Sequence, residues 1–210
     1  MTEAVLCTCP KKGCAIHDAS APEKRYPYAA ALQVAEEIVF ALAPFCVRIE
    51  IAGSLRRRKP DVGDIEILYI PKTAKRPDPD DLFADPREVD LCALAICGLD
   101  AEHMIVPRLN SRGAKTYGPL NKLMRHVASG IPVDLFTATP ENWFNYLVCR
   151  TGPADLSQRI AVEAKRLGWK WHPYGSGFTA LDNGQESRVE CEKDVFDFVG
   201  LPYTEPEARR

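Results

Sequence analysis

The sequence predicts an α+β protein: a mixed or antiparallel sheet with flanking helices, followed by a small C-terminal α/β lobe. Three observations lead there. An apolar stripe at helical spacing fills residues 28–42, segments alternating in hydropathy recur at 47–52, 63–70, 123–127 and 131–136, and strand signals give way to helical ones near residue 140. The chain then divides into a polar N-terminal segment (1–24), a sheet-bearing unit (25–139) and the lobe (140–210).

A chain of 210 residues, 46% hydrophobic and 27% charged, can bury a real core and does not have the composition of a disordered one. No apolar run approaches bilayer length, and the opening MTEAVLCTCPKKGC lacks the basic-then-apolar order of a signal peptide. The expectation is a cytoplasmic protein with no membrane partner. Eight cysteines at irregular spacing then read as reduced thiols, with Cys46 and Cys97, in apolar surroundings, as buried hydrophobes. The formal charge of −2 excludes nothing by itself, because the charge is distributed unevenly.

Each element has its own signal. In the first helix Leu32, Ala35, Ile38, Val39 and Leu42 form the stripe, and Pro44 ends it. VRIEIA (47–52) and GDIEILYI (63–70) are strands that bracket the basic block Arg56–Lys59. Residues 71–90, with four prolines and many charges, read as a surface loop before a short helix at 89–97. Between Met104 and Val133 there is no acidic residue, while Arg108, Arg112, Lys115, Lys122 and Arg125 are basic. Within this cationic stretch, 123–127 and 131–136 form a hairpin turning at Ser129-Gly130. Pro140 opens a helix to about Val148, Thr151-Gly152 turns the chain, and a second helix stops at Gly168. Two short strands (KWHPY, GFTAL) and a helix from Glu192 complete the reading.

Asp64 and Glu66 sit at i and i+2 of an expected strand, so both project from one face. Side by side they repel, and the usual relief is a divalent cation between them. Asp134, among apolar neighbours (VDLF), completes a three-carboxylate site if its strand is adjacent. Such a site suits two magnesium ions, with manganese as a substitute, about 4 Å apart in an in-line displacement at phosphorus. Gly53-Ser54 at a strand end allows close approach to a triphosphate, whose oxygens Ser54 and Arg57 can bond.

Gly53-Ser54, nine residues and then Asp64-Ile65-Glu66 form the GS-x9-D-x-[DE] pattern that resembles the polymerase-β-like nucleotidyltransferases; GSLRRRKPDVGDIEIL is similar to family X DNA polymerases. The likeness continues in Thr151-Gly152 with the helix ending at Gly168, and in EKDVFDFVGLPYTEPEAR, so it covers roughly residues 25–210. RTGPADLS resembles the small forms carried by viruses and mobile elements, which implies a host cytoplasm or nucleoid. The resemblance implies that the sheet is a nucleotidyltransferase palm and that the C-terminal lobe is nucleotide-binding and thumb-like. It further implies that Asp64, Glu66 and Asp134 bind the catalytic metals, Asp134 also helping to deprotonate the primer 3′-hydroxyl. Ser54 and Arg57 would hold the β and γ phosphates, Gly63 would keep the turn before the acids open, and Thr151 and Gly152 would lie along the sugar and base of a dNTP.

Departures matter too. Glu66 stands where aspartate is usual, Cys149-Arg150 replaces an aromatic pair, Ser157 and Arg159 replace asparagines, and Pro132 replaces an arginine of some members. About 25 residues precede the first helix, too few for a lyase domain, so lyase activity is not expected. The expected activity is DNA-directed DNA synthesis on primer-template or gapped DNA, in short-gap repair, with an unnamed processivity partner allowed. The rivals are a template-independent nucleotidyltransferase acting on RNA ends or a small acceptor, and a non-catalytic DNA-end-binding module. Arg108, Arg112, Lys115, Lys122 and Arg125 are candidate DNA contacts, with one of Lys122 and Arg125 pointing inward. Arg56, Arg58 and Lys59 read equally as DNA-phosphate contacts or plain surface, and Trp143 and Trp169 as core anchors ahead of base-stacking platforms. Cys7, Cys9, Cys14 and His17 offer four zinc ligands in eleven residues, against the plainer reading of spare thiols.

Overall fold

The computed structural model describes residues 24–77, 85–110 and 112–209. In chain order, β1 (Tyr26–Pro27) leads into α1 (Tyr28–Leu42), β2 (Cys46–Ile51), the single-turn helix α2 (Gly53–Arg56), β3 (Asp61–Val62) and β4 (Ile65–Pro71). Then come β5 (Thr73–Arg76), β6 (Arg87–Asp90), α3 (Leu91–Ala101), β7 (Ile105–Pro107), β8 (Asn121–His126) and β9 (Pro132–Thr137). The C-terminal part holds α4 (Trp143–Thr151), α5 (Ala154–Arg166), β10 (Trp169–Trp171), β11 (Gly177–Ala180), β12 (Glu186–Arg188) and α6 (Glu192–Phe198). The protein is α+β. Its main sheet has the order β2-β4-β9-β8-β7, with β4 and β9 parallel and the other neighbours antiparallel.

Alternation along β4 and β9 decides which side chains meet which layer. Ile65, Ile67 and Tyr69 of β4, with Val133 and Leu135 of β9, face the core under α1 and α3, where Ala31, Ala35, Ile38, Leu42, Cys92 and Ile96 are fully buried. The opposite face carries Leu68, Ile70 and Phe136, and α4 covers it with Trp143, Tyr146 and Leu147. Burying an aliphatic side chain of this size contributes about 1.5–3 kcal/mol, so both faces are committed to packing. A third core lies in the C-terminal part, where Val148, Ile160, Ala164, Trp171, Phe178, Val195 and Phe196 meet. Helix α4 thus contributes to two cores.

Several boundaries differ from the sequence expectation. Strand β4 begins at Ile65, one residue beyond Asp64, and both its faces are covered. Part of the expected 71–90 loop is an antiparallel pair, β5 with β6. Helix α3 starts later because Asp90 caps it, accepting a hydrogen bond from the Ala93 amide at 2.8 Å. Helix α4 starts at Trp143, since Pro140–Asn142 form a turn in which the Thr139 amide donates to the Asn142 side chain at 2.8 Å. The strand β12 was not expected; its residues, Glu-Ser-Arg, have no apolar alternation and lie at the edge of the three-stranded sheet.

Two further expectations are corrected. Residues Tyr28–Phe45 form an 18-residue helical stretch of mean hydropathy 1.3, long and apolar enough to cross a membrane. Its stripe packs on the sheet, while Glu36 and Glu37 project from the exposed side, the pattern of an amphipathic core helix. Cys97, expected to be buried, is exposed, with its sulfur 3.4 Å from the Tyr117 hydroxyl; Cys46 is buried as expected.

Candidate active site

Strands β4 and β9 run parallel and place Glu66 directly opposite Asp134. Residues opposite each other in adjacent strands share a face, so both carboxylates lie on the α4 side, extending the row that continues inward as Leu68, Ile70 and Phe136. Asp64 sits one residue ahead of β4, in the segment that enters the strand after the bend at Gly63. The row is therefore apolar along its length and acidic at its end.

Beside this end lies α2. The amide of Ala52 donates to the Glu66 carbonyl at 2.8 Å, which seats Gly53 against Glu66. Gly53 has φ +65°, and a Cβ there would collide with the Glu66 carboxylate. Ser54 is half-buried next to it. Arg57 donates to the carbonyl of Thr151, and Arg56 donates to the Thr151 hydroxyl at 2.9 Å, so α2 grips the end of α4. Thr151 and Gly152 are buried, and Gly152 has φ +62° with the Arg57 guanidinium close by.

Arg56 is not a surface cation. Its guanidinium bonds both Glu192 oxygens, at 2.6 and 3.1 Å, and approaches Glu50 at 3.2 Å; Arg209 adds a bond to Glu192 at 2.9 Å. Burial pushes the Glu192 carboxyl up, but the hydrogen bond to Arg56 and the charges of Arg56 and Arg209 outweigh this and hold it below its ordinary value. The network joins α2, α6 and the C-terminal segment.

Arginines also meet two of the three candidate acids. Arg108 donates to Asp134 at 2.5 Å, and Arg150 lies 3.6 Å from Glu66. Burial, then the charge of Asp64, pushes Glu66 up to about 7, offset in part by Arg150 and Arg57. Burial likewise raises Asp134 to about 6 against the pull of Arg108. Among the described residues no group of three His, Cys, Asp or Glu side chains stands close enough to hold a metal ion. The chemistry of the donor set still fits a hard divalent cation. Three carboxylates share one end of a sheet, burial raises two of them above the ordinary carboxylate range, and added positive charge would favour their ionised forms. Asp134 and Glu66 are instead turned toward Arg108 and Arg150.

The basic stretch divides. Arg112, Lys115 and Arg125 are exposed. Arg108 turns inward to Asp134, and Lys122 is 4% exposed with its amine 3.3 Å from the Tyr69 hydroxyl. The inward turn of Arg108 departs from the expectation of DNA contact, whereas Lys122 is the inward member of the Lys122–Arg125 pair, one of the two arrangements expected. Lys122 is second in β8, and alternation puts it with Met124 and His126 on the buried side. Trp143 is 1% exposed, a core anchor, and Trp169 packs edge-on against Phe198 at 5.1 Å between ring centroids. The candidate zinc ligands Cys7, Cys9, Cys14 and His17 lie outside the described residues.

Sequence reasoning missed the roles of Arg56, Arg108, Arg150, Glu192 and Arg209 in these contacts. The partners of Arg56 are separated by up to 136 positions, and no local spacing carries such a pairing. One signal was available: Arg150 stands directly before Thr151-Gly152, where an aromatic residue was expected.

Residues 146–210, just under a third of the chain, match the family model described as DNA polymerase beta thumb. The matched part begins inside α4 and contains Thr151, Gly152, Glu192 and Arg209. A comparison with curated proteins finds no match. The thumb match supports a relationship to polymerase-β-like family X proteins, and with it a DNA-polymerase-related function and DNA as a partner.

Proposed function

We propose that the chain is a DNA-directed DNA polymerase that adds deoxynucleotides to a primer 3′-hydroxyl and fills short gaps. The observation that carries this reading is the in-register pair of Glu66 and Asp134 on adjacent parallel strands, with Asp64 at the strand entrance and the Gly53 turn alongside. We assign residues 25–139 to the palm and 140–210 to a nucleotide-binding, thumb-like lobe.

In this reading Asp64, Glu66 and Asp134 hold two divalent cations, magnesium or manganese. The ions would supply charge stabilisation to the attacking and leaving oxygens of an in-line displacement at phosphorus. Asp134 takes part in removing the proton of the primer 3′-hydroxyl. Ser54 and Arg57, with the Gly53 backbone close by, hold the β and γ phosphates of the dNTP. Thr151 and Gly152 line the sugar and base, and α5 meets the new base pair. Arg112, Lys115 and Arg125, exposed and without acidic neighbours in sequence between 104 and 133, grip the DNA backbone without reading its sequence.

The test is single-nucleotide extension on a one-nucleotide gap bearing a 5′-phosphate, with templated and untemplated primers compared. Wild type incorporates the templated nucleotide, and Asp64→Asn or Asp134→Asn lowers the rate by about three orders of magnitude or more. Template-blind incorporation, or full activity in Asp134→Asn, overturns the reading.

A further inference from the structure

Arg150, in the last turn of α4, sits in an aromatic enclosure. Its guanidinium carbon lies 3.6 Å from the ring centroid of Phe136, 5.3 Å from that of Tyr174 and 5.4 Å from that of Tyr146. From there it reaches Glu66 at 3.6 Å, an ion pair too long to be a hydrogen bond, and its buried Nε has no partner. Arg108 and Asp134 make a different contact, a charge-assisted hydrogen bond at 2.5 Å. The two acids are therefore neutralised unequally. Asp134 is tied by a directional bond, whereas Glu66 is balanced by a charge that rests on π faces and would keep that support if it let go.

We propose that Arg150 is the internal counter-cation of the acidic cluster, competing with a divalent cation for Glu66 and so setting the metal affinity of the site. This rests on the proposed metal-binding role of the three carboxylates. A divalent ion on Glu66 would stand within a few ångströms of a full positive charge that burial screens poorly, so each opposes the other's occupancy. Arg150 belongs to the segment matched by the thumb model, and Glu66 to the main sheet. The ion pair consequently links metal loading to the position of α4 and of Thr151, the residue that follows. Arg150 acts here as a positioning residue, and neither proton transfer nor contact with the reacting atoms is assigned to it.

The experiment is manganese binding to the full-length protein without nucleotide or DNA, followed by the electron paramagnetic resonance of the free ion. Arg150→Gln and Arg150→Met remove the charge; methionine also keeps favourable contacts with the rings should glutamine loosen the enclosure. Both neutral variants bind manganese at least about tenfold tighter than wild type, while Arg150→Lys, which keeps the charge, binds it more weakly than either neutral variant. Thermal melts of each variant show that the fold is retained. Equal or weaker affinity in both neutral variants, with wild type still binding, overturns the role of Arg150 and leaves the three-carboxylate reading standing. No binding by wild type or by any variant overturns both.

Discussion

Gly53 shows how little room the acidic end of the sheet has. Its positive φ costs an ordinary L residue about 1–2 kcal/mol, and the space where a side chain would go is filled by the Glu66 carboxylate. Gly53→Ala should therefore lower unfolding free energy by at least that amount in a urea titration, and should slow primer extension by displacing Glu66. An unchanged urea midpoint would mean that neither the positive φ nor the collision with Glu66 costs anything in the folded state. The need for glycine here was legible in the sequence as a Gly-Ser pair at a strand end. The inward turn of Arg108 was not, because its partner Asp134 lies 26 positions away, and which of Lys122 and Arg125 faces in is decided only by the pairing of β8 with β9.

Among elements, the junction of α2 with α6 has the most specific consequence. Glu192 is depressed in the folded state, so its contribution to stability is complete above the ordinary carboxylate value of about 4.3 and is lost as pH falls toward the folded value. Glu192→Gln should destabilise the protein by about 3 kcal/mol at pH 7, the scale of breaking a buried pair, since Arg56 and Arg209 lose their shared partner. Below about pH 4 that difference should shrink as wild type loses its own pair. Thermal melts of both proteins across this range check it, and a gap independent of pH would remove Glu192 as the titrating group. Helices α1 and α5 and strands β4, β8 and β9 could be read from periodicity within a residue or two. By contrast β12 and the β5–β6 pair could not, because they are short, polar and held by backbone pairing more than by an apolar face.

For the whole molecule, a formal charge of −2 coexists with a local cationic surface. If Arg112, Lys115 and Arg125 each neutralise one DNA phosphate, replacing all three by alanine should flatten the slope of log affinity against log salt by about 2.7. Fluorescence anisotropy of labelled gapped DNA from low to moderate salt measures it, and an unaltered slope would assign the DNA surface elsewhere. Lys122→Ala should instead show itself in stability, since that amine is buried. At this scale the placement of the acidic residues on adjacent strands was legible. The GS-x9-D-x-[DE] spacing and VDLF named three acids, and sheet pairing put Glu66 opposite Asp134. The arginines beside them are long-range partners, invisible to any window along the sequence.

Helix α4 roofs the sheet with Trp143, Tyr146 and Leu147 while its Val148 enters the core beneath α5 and α6. The two halves of the chain are thus carpentered onto a common beam. Cutting ahead of that beam strips Leu68, Ile70 and Phe136 of their lid, and cutting behind it leaves the last third without one of its walls. Neither half can be lifted out intact, and heat should melt them together.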